Sequence, residues 1–295
     1  MDCKPDGDGF DLAVLEELIG GRIVDLDVLA GFAANGVAAL TLESGDRVVF
    51  KMASSREVEV EVWALQSMAE RGVPTPPLLS WSTTGARPHL VTRFVSGASG
   101  VQTAAAAARA GAMLRAVHAL PVAGVGFFKE LAAPAQAVLP GSWSSWVAEF
   151  SVRLEPLAVA GVLTADLLDR CRDILIDTER WAHPVVFAHG DFHARHLLGV
   201  GTAAEAIIDW ADCAAAPAWL DLARMGVHGA VERALLDAYF PAGPPPDAAA
   251  HLSSHKLLYG LLALVWEYEG GGDWLRERVP GIETALAAMT GVREY

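Results

Sequence analysis

The stretch His189-Gly190-Asp191-Phe192-His193-Ala194-Arg195-His196, followed by Ile208-Asp209-Trp210 and Asp221-Leu222-Ala223, gathers acid–base and metal-binding side chains into one short interval. The apolar run Val185-Val186-Phe187-Ala188 leads into the first motif, and Ala206-Ile207-Ile208 leads into Asp209. Two carboxylates are thus delivered at strand ends that flank a short hairpin. Placed that way they can converge on one site, one meeting the proton of a hydroxyl and the other holding a divalent cation. The same interval also reads H-x-D-x-H-x-x-H, so His189, Asp191, His193 and His196 could ligate the metal of a hydrolase, with Asp209 and His228 completing the set.

Phosphoryl transfer in the protein-kinase manner needs an aspartate that orients the acceptor hydroxyl, a metal ligand five residues on, and a second metal-binding aspartate after the next strand. Asp191, His196 and Asp209 fall at those places. With these motifs the sequence resembles the aminoglycoside phosphotransferase family, relatives of the choline kinases, whose pattern runs H-G-D-x-x-x-x-N, then I-D-W, then D-x-A. The resemblance implies Asp191 as the catalytic aspartate, His196 and Asp209 as metal ligands, and His189 and Asp221 as structural supports of the catalytic loop. It departs at His196, where the commonest member carries Asn. Imidazole suits softer divalent ions better than hard Mg²⁺, so Mn²⁺ joins Mg²⁺ as an expected ion. Macrolide kinases are similar in carrying His there.

These groups need elements to position them. Arg22 to Leu29, Val37 to Leu42 and Arg47 to Met52 read as strands, with Glu43-Ser44-Gly45-Asp46 as a hairpin turn. Ser55 to Arg71 reads as a helix stopped by Gly72 and Pro74, and Leu78 to Trp81 and His89 to Val95 as two further strands. Lys51 ends the third strand, where the resemblance implies the ATP-binding lysine. Such a lysine needs a carboxylate on the next helix, and Glu57, Glu59 and Glu61 compete for the role. Val58, Val62, Leu65 and Ala69 form one stripe, and Glu61 lies within roughly 60° of its centre with Glu57 only slightly beyond it on the same side; the resemblance, through its spacing to the Gly72-Val73-Pro74 helix stop, implies Glu61. Ala30 to Gly36, with Gly31 and Gly36, is expected to cover the phosphates, glycines allowing backbone N–H groups close to oxygen.

From Gly97 onward the pattern turns helical: Thr103 to Leu120, Ser144 to Leu157, Thr164 to Trp181, Trp219 to Tyr239, His251 to Glu269 and Trp274 to Met289. Ser96 to Gly100 is the seam, giving an N-terminal ATP-binding lobe at 1–95 and a helical lobe at 96–295 that holds the catalytic loop and the substrate site. His118, in His-Ala-Leu-Pro, reads as a packing residue. Glu267, Glu269 and Asp273, among Trp266, Tyr268 and Trp274, are the candidate substrate contacts for a cationic acceptor.

A charge of −14, from 22 Lys+Arg against 36 Asp+Glu, excludes a binder of the nucleic-acid backbone and favours cationic small molecules. Mean hydropathy is +0.31, yet no uninterrupted apolar run is long enough to span a bilayer. The acidic start, without an apolar core, is expected not to act as a signal peptide. Cys3, Cys171 and Cys213 lack C-x-x-C spacing and fit free thiols in a reducing compartment, so a soluble, cytoplasmic protein is expected. The expected fold is α+β and two-lobed like a protein kinase: an antiparallel five-stranded sheet plus one helix, then a mainly helical lobe. The expected activity is ATP- or GTP-dependent phosphorylation of a small-molecule hydroxyl. The leading acceptor is an aminoglycoside-type antibiotic; a macrolide, choline, homoserine or an amino sugar are the alternatives.

Overall fold

A computed structural model of the chain describes residues 12–29, 36–85, 87–130, 141–202 and 205–290. They divide into two compact units: the first runs through Gly100 and adds Arg195–Cys213, and the second comprises Val101–Ala194 and the described residues from Ala214 onward. The sequence boundary at 95/96 divides the chain by continuity, whereas these contacts group 195–213 with the first unit.

In the first unit, helix α1 (Leu12–Ile19) precedes β1 (Ile23–Leu29), β2 (Val37–Leu42), β3 (Arg47–Met52), helix α2 (Ser55–Glu70), β4 (Leu78–Ser82) and β5 (His89–Arg93). The strands form one antiparallel sheet in the order β1-β2-β3-β5-β4. Its core is Leu15, Ala38, Leu40, Val48, Phe50 and Val91. Helix α1 adds to the single helix expected here; its sequence LAVLEELI is short, and Leu15 is its one buried residue. On β3 the pleat sends Val48 and Phe50 into this core, so Lys51 stands on the opposite face.

Helix α2 begins with a capping box in which Ser54 and Glu57 satisfy each other's backbone N–H groups. It ends in a Schellman arrangement, Gly72 N–H bonding to Ala69 O and Val73 N–H to Met68 O, with Gly72 at φ +69°. Its buried face holds Val58, Val62, Leu65 and Met68, so the stripe finishes on Met68 and Ala69 is exposed.

Residues 195–213 belong to the first unit because both edges of their hairpin are tied to it. Strand β8 (Leu197–Leu198) pairs with β9 (Ala206–Ile207). Leu198 bridges Ser99, Gly199 N–H bonds to Ala98 O at 3.0 Å, and Ile207 N–H bonds to Pro74 O at 2.9 Å. A Cβ at Gly97 would come within 2.9 Å of the Gly199 backbone, so this close approach requires glycine.

The second unit is helical around a small sheet. Its helices are α3 (Ala104–His118), α4 (Trp143–Phe150), α5 (Glu155–Val159), α6 (Ala165–Leu175), α7 (Ala218–Arg224), α8 (Gly229–Tyr239), α9 (Ala248–Glu269) and α10 (Leu275–Thr290). Strands β6 (Gly126–Phe127), β10 (Ala214–Pro217) and β7 (Val185–Ala188) pair antiparallel in that order. Two runs expected as single helices are divided: Ser151–Leu154 is a 3₁₀ turn between α4 and α5, and Gly226 and Gly229, at φ +66° and +63°, separate α7 from α8. A shared core of Leu157, Leu167, Leu175, Trp181, Leu220, Leu258 and Leu262 holds α5, α6, α7 and α9 together. Cys171 and Cys213 are buried thiols, and burial pushes Cys171 up to about 11. No helix among the described residues is long and apolar enough to cross a membrane.

Candidate active site

In the first unit, Lys51 on β3 meets one side chain from α2 and one from the turn after β9. Its Nζ donates to Glu61 Oε2 at 2.7 Å and to Asp209 Oδ1 at 2.6 Å. Lys51 and Glu61 side chains are only 12% and 6% exposed, so this ion pair is shielded from water. The competing acids are engaged elsewhere: Glu57 in the helix cap, and Glu59 with Arg56 at 2.8 Å. Burial opposes the charge on Lys51, but the facing Glu61 and Asp209 carboxylates outweigh it and hold its pKa above the ordinary lysine value.

Asp209 directly follows the hairpin and adopts φ +66°, the only positive φ outside glycine among the described residues. That left-handed turn is costly for a side chain with a Cβ. It is held by Ile208 N–H bonding to His196 O at 3.0 Å and by Trp210, fully buried with its indole N–H on Ile207 O. The second Asp209 oxygen, Oδ2, lies 3.3 Å from His196 Nε2. Two ligands at right angles, each about 2.1 Å from one ion, stand about 3 Å apart. An imidazole nitrogen and a carboxylate oxygen at this separation therefore fit one divalent cation.

In the second unit, β7 and β10 lie side by side, β7 leading into His189-Gly190-Asp191 and β10 into α7. Asp221 on α7 is fully buried and accepts from the backbone N–H groups of His189 (2.7 Å) and Gly190 (2.8 Å) and from His118 Nε2 (2.9 Å). The other nitrogen of His118 meets the Tyr239 hydroxyl at 2.7 Å. Burial, reinforced by the Asp221 charge, raises the Tyr239 pKa above its ordinary value. His118 is thus a polar link in this network, beyond the packing expected of it. His189 is itself buried, and its Nδ1 accepts from Asp191 N–H at 3.2 Å.

Asp191 Oδ1 receives Arg224 Nε at 2.5 Å and the Tyr259 hydroxyl at 2.6 Å, while His193 Nε2 lies 3.8 Å from Oδ2. Neither Arg224 nor Tyr259 was expected here. The available signal was helical spacing: Arg224 stands one turn beyond Asp221, and Tyr259 two turns before Trp266.

The remaining candidates are dispersed. Gly31 lies outside the described residues. Gly36 immediately precedes β2, its carbonyl accepting from Met52 N–H at 2.8 Å. Glu267 is buried and accepts from Trp274 N–H and Arg278, both at 3.3 Å, closing the turn after α9. Glu269 is held by Arg153 at 2.8 and 3.2 Å, and Asp273 is exposed.

The family model described as the phosphotransferase enzyme family matches residues 28–252. Among solved structures, the putative fructosamine-3-kinase from Thermobifida fusca shares 19% identity, with 95% of this chain and 98% of that one covered and a TM-score of 0.69. The macrolide 2'-phosphotransferase MphH from Brachybacterium faecium shares 19%, covering 96% and 98%, at 0.67. A thermostable mutant of aminoglycoside phosphotransferase APH(4)-Ia, in a ternary complex with ADP and hygromycin B, shares 15%, covering 95% and 97%, at 0.70. These likenesses establish the kinase-like fold. The search of curated proteins found no match. The metal-hydrolase alternative falls to the family match, and the His189 ring is built into the loop.

Proposed function

We propose that this chain, which belongs to the phosphotransferase enzyme family and is a small-molecule phosphotransferase, transfers the terminal phosphoryl group of ATP to an acceptor hydroxyl. The observation that carries this reading is Lys51 held at 2.7 Å by Glu61 and at 2.6 Å by Asp209, a buried ammonium fixed beside a metal-competent carboxylate.

Lys51 holds phosphate oxygens, with Glu61 fixing its direction. Gly36 is the described glycine proposed to let backbone N–H groups approach the phosphates. His196 and Asp209 hold a divalent cation, Mg²⁺ or Mn²⁺, which when bound neutralises phosphate charge. The acceptor oxygen forms its bond to the γ-phosphorus as the bond to the β,γ-bridging oxygen breaks and ADP leaves with that electron pair. Asp191 takes the acceptor's proton, and His189 and Asp221 keep its loop in place. Alignment and charge neutralisation supply most of the acceleration. GTP is the alternative donor, and residues 1–95 and 96–295 serve as the nucleotide and acceptor lobes.

The favoured acceptor is a cationic, aminoglycoside-type antibiotic, which would make this a resistance enzyme. The net charge of −14 and the fold shared with APH(4)-Ia support it. Asp273 is the exposed carboxylate available to a cation, since Glu267 and Glu269 are engaged. A macrolide is the second reading, favoured by His196; choline, homoserine or an amino sugar follow. The cytoplasm, where ATP and reduced thiols coexist, is the proposed compartment.

The test is ATP consumption with Mg²⁺ or Mn²⁺ across aminoglycosides, macrolides, choline, homoserine and fructosamines. Stimulation by one class, lost in Lys51→Met, is expected. Lys51-independent ATP consumption, or no ATP binding at all, would overturn the reading.

A further inference from the structure

Resting on the assignment of Asp191 above, we propose that Arg224 and Tyr259 are positioning residues that jointly occupy Asp191 Oδ1 and so make Oδ2 the oxygen that takes the acceptor's proton.

A carboxylate oxygen has two lone pairs. On Oδ1 both are committed, to Arg224 Nε at 2.5 Å and to the Tyr259 hydroxyl at 2.6 Å. The Tyr259 bond lies in the short range of O–H···O⁻ hydrogen bonds, and the Arg224 bond joins opposite charges. A further donor to this carboxylate is therefore directed to Oδ2, the edge on which His193 Nε2 stands at 3.8 Å.

The two donors also fix each other. The Arg224 guanidinium lies over the Tyr259 ring, 4.6 Å from its centroid, a cation–π contact that leaves the phenol hydroxyl projecting at the ring edge. They come from different helices, Arg224 from the last residue of α7 and Tyr259 from the middle of α9, and α7 packs against α9. The same α7 carries Asp221, which holds the backbone of the loop at His189 and Gly190. One helix thus fixes the loop's main chain through Asp221 and its reactive side chain through Arg224, with Tyr259 supplying the second direction. Two donors on one oxygen remove the rotation about the Cβ–Cγ bond that would otherwise exchange the two oxygens. Because catalysis of this kind depends on alignment, that loss of freedom acts on turnover more than on binding.

The test uses the full chain with Tyr259→Phe, Arg224→Lys, Arg224→Gln and the double variant Tyr259→Phe/Arg224→Gln. Activity is followed as slow γ-phosphoryl transfer from MgATP to water, which needs no identified acceptor, and with the panel compound that stimulates turnover. Tyr259→Phe keeps the ring under Arg224 and removes only the hydroxyl. It is expected to lower kcat about tenfold, the worth of one charge-assisted hydrogen bond, with KM for ATP and acceptor within twofold. Arg224→Gln should lose about a hundredfold and Arg224→Lys should recover part of it, since an ammonium can still donate to Oδ1. The double variant should lose less than the product of the single losses, because the two donors act on one atom.

Unchanged kcat in Tyr259→Phe and Arg224→Lys, with Asp191→Asn inactive, would overturn this inference and leave the catalytic aspartate standing. A rise in acceptor KM at constant kcat would also overturn it, making the pair acceptor-binding groups. Full activity in Asp191→Asn would remove the assignment on which it rests.

Discussion

Lys51 Nζ lies 2.6 Å from Asp209 Oδ1, although 158 positions of sequence separate them, and the same ammonium lies 2.7 Å from Glu61. One cation thus holds together two carboxylates that would otherwise repel. Replacing it by Met leaves Glu61 buried without its counter-charge. Lys51→Met should therefore cost about 2–4 kcal/mol of stability, less than the full price of a buried pair because Asp209 is 42% exposed. Urea unfolding measures this, and a simultaneous rise in KM for ATP separates nucleotide binding from a purely structural role. An unaltered midpoint and KM would show that the pair matters to neither.

The Asp221 carboxylate offers a second stability test. It is fully buried and satisfies two backbone N–H groups and one imidazole, all within 2.9 Å. Asp221→Ala strands these donors, and about 3–5 kcal/mol of destabilisation is expected. Asp221→Asn keeps the shape but presents an amide, so it should fold and show a lower kcat with a near-normal KM for ATP. Wild-type kcat in Asp221→Asn would deny the residue its hold on the loop.

Metal preference follows from the donor set. His196 Nε2 and Asp209 Oδ2, 3.3 Å apart, pair a borderline nitrogen with a hard oxygen. Activity should persist with Mn²⁺ at least as well as with Mg²⁺, and His196→Asn should move the preference toward Mg²⁺. Equal loss with both ions in His196→Ala, with nucleotide affinity untouched, would argue against a metal role.

The pH dependence of stability has a specific source in the second unit. His255 on α9 is wholly buried, and burial lowers its pKa to about 3, with neighbouring His183 and His251 adding to the effect against the His251 carbonyl that Nδ1 contacts. His183 is lowered as well, by burial first and His251 second, and His251 itself faces Asp247 at 3.1 Å. Both rings fold as neutral groups, whereas the unfolded chain binds their protons below its pKa of about 6.5. The contribution of His255 is complete above about pH 6.5 and is lost as pH falls toward 3. His255→Gln should flatten stability against pH in that window by about one proton, or about 1.4 kcal/mol per pH unit. Parallel wild-type and variant curves would exclude His255 as the source.

Much of this organisation was legible in the sequence wherever it is written in short-range periodicity. β-rich composition marked β3, the family resemblance pointed to its lysine, and the helical period together with the resemblance's spacing to the Gly72 stop favoured Glu61 over Glu57 and Glu59. Features set by distant partners were not legible. The alanines of β10 have high helix propensity, yet pairing with β6 and β7 makes them a strand. The ties from residues 97–100 and Pro74 to the hairpin join backbone groups, which carry no residue-type signal. Glu267 and Glu269 read as candidate substrate contacts because Arg278 and Arg153, which hold them, come from other elements. Arg224 and Tyr259 reach Asp191 from 33 and 68 positions away, and helical spacing from Asp221 and Trp266 was the one local hint of either.

The most direct measurement is the fate of the γ-phosphoryl group, followed by phosphorus NMR with MgATP and the acceptor panel, for wild type and Asp191→Asn. The account predicts one phosphorylated compound class, formed in step with ADP. In Asp191→Asn transfer should fall by about a hundredfold or more, with ATP affinity within a few-fold of wild type. ADP formation with no phosphorylated acceptor in any class, or undiminished transfer by Asp191→Asn, would contradict it.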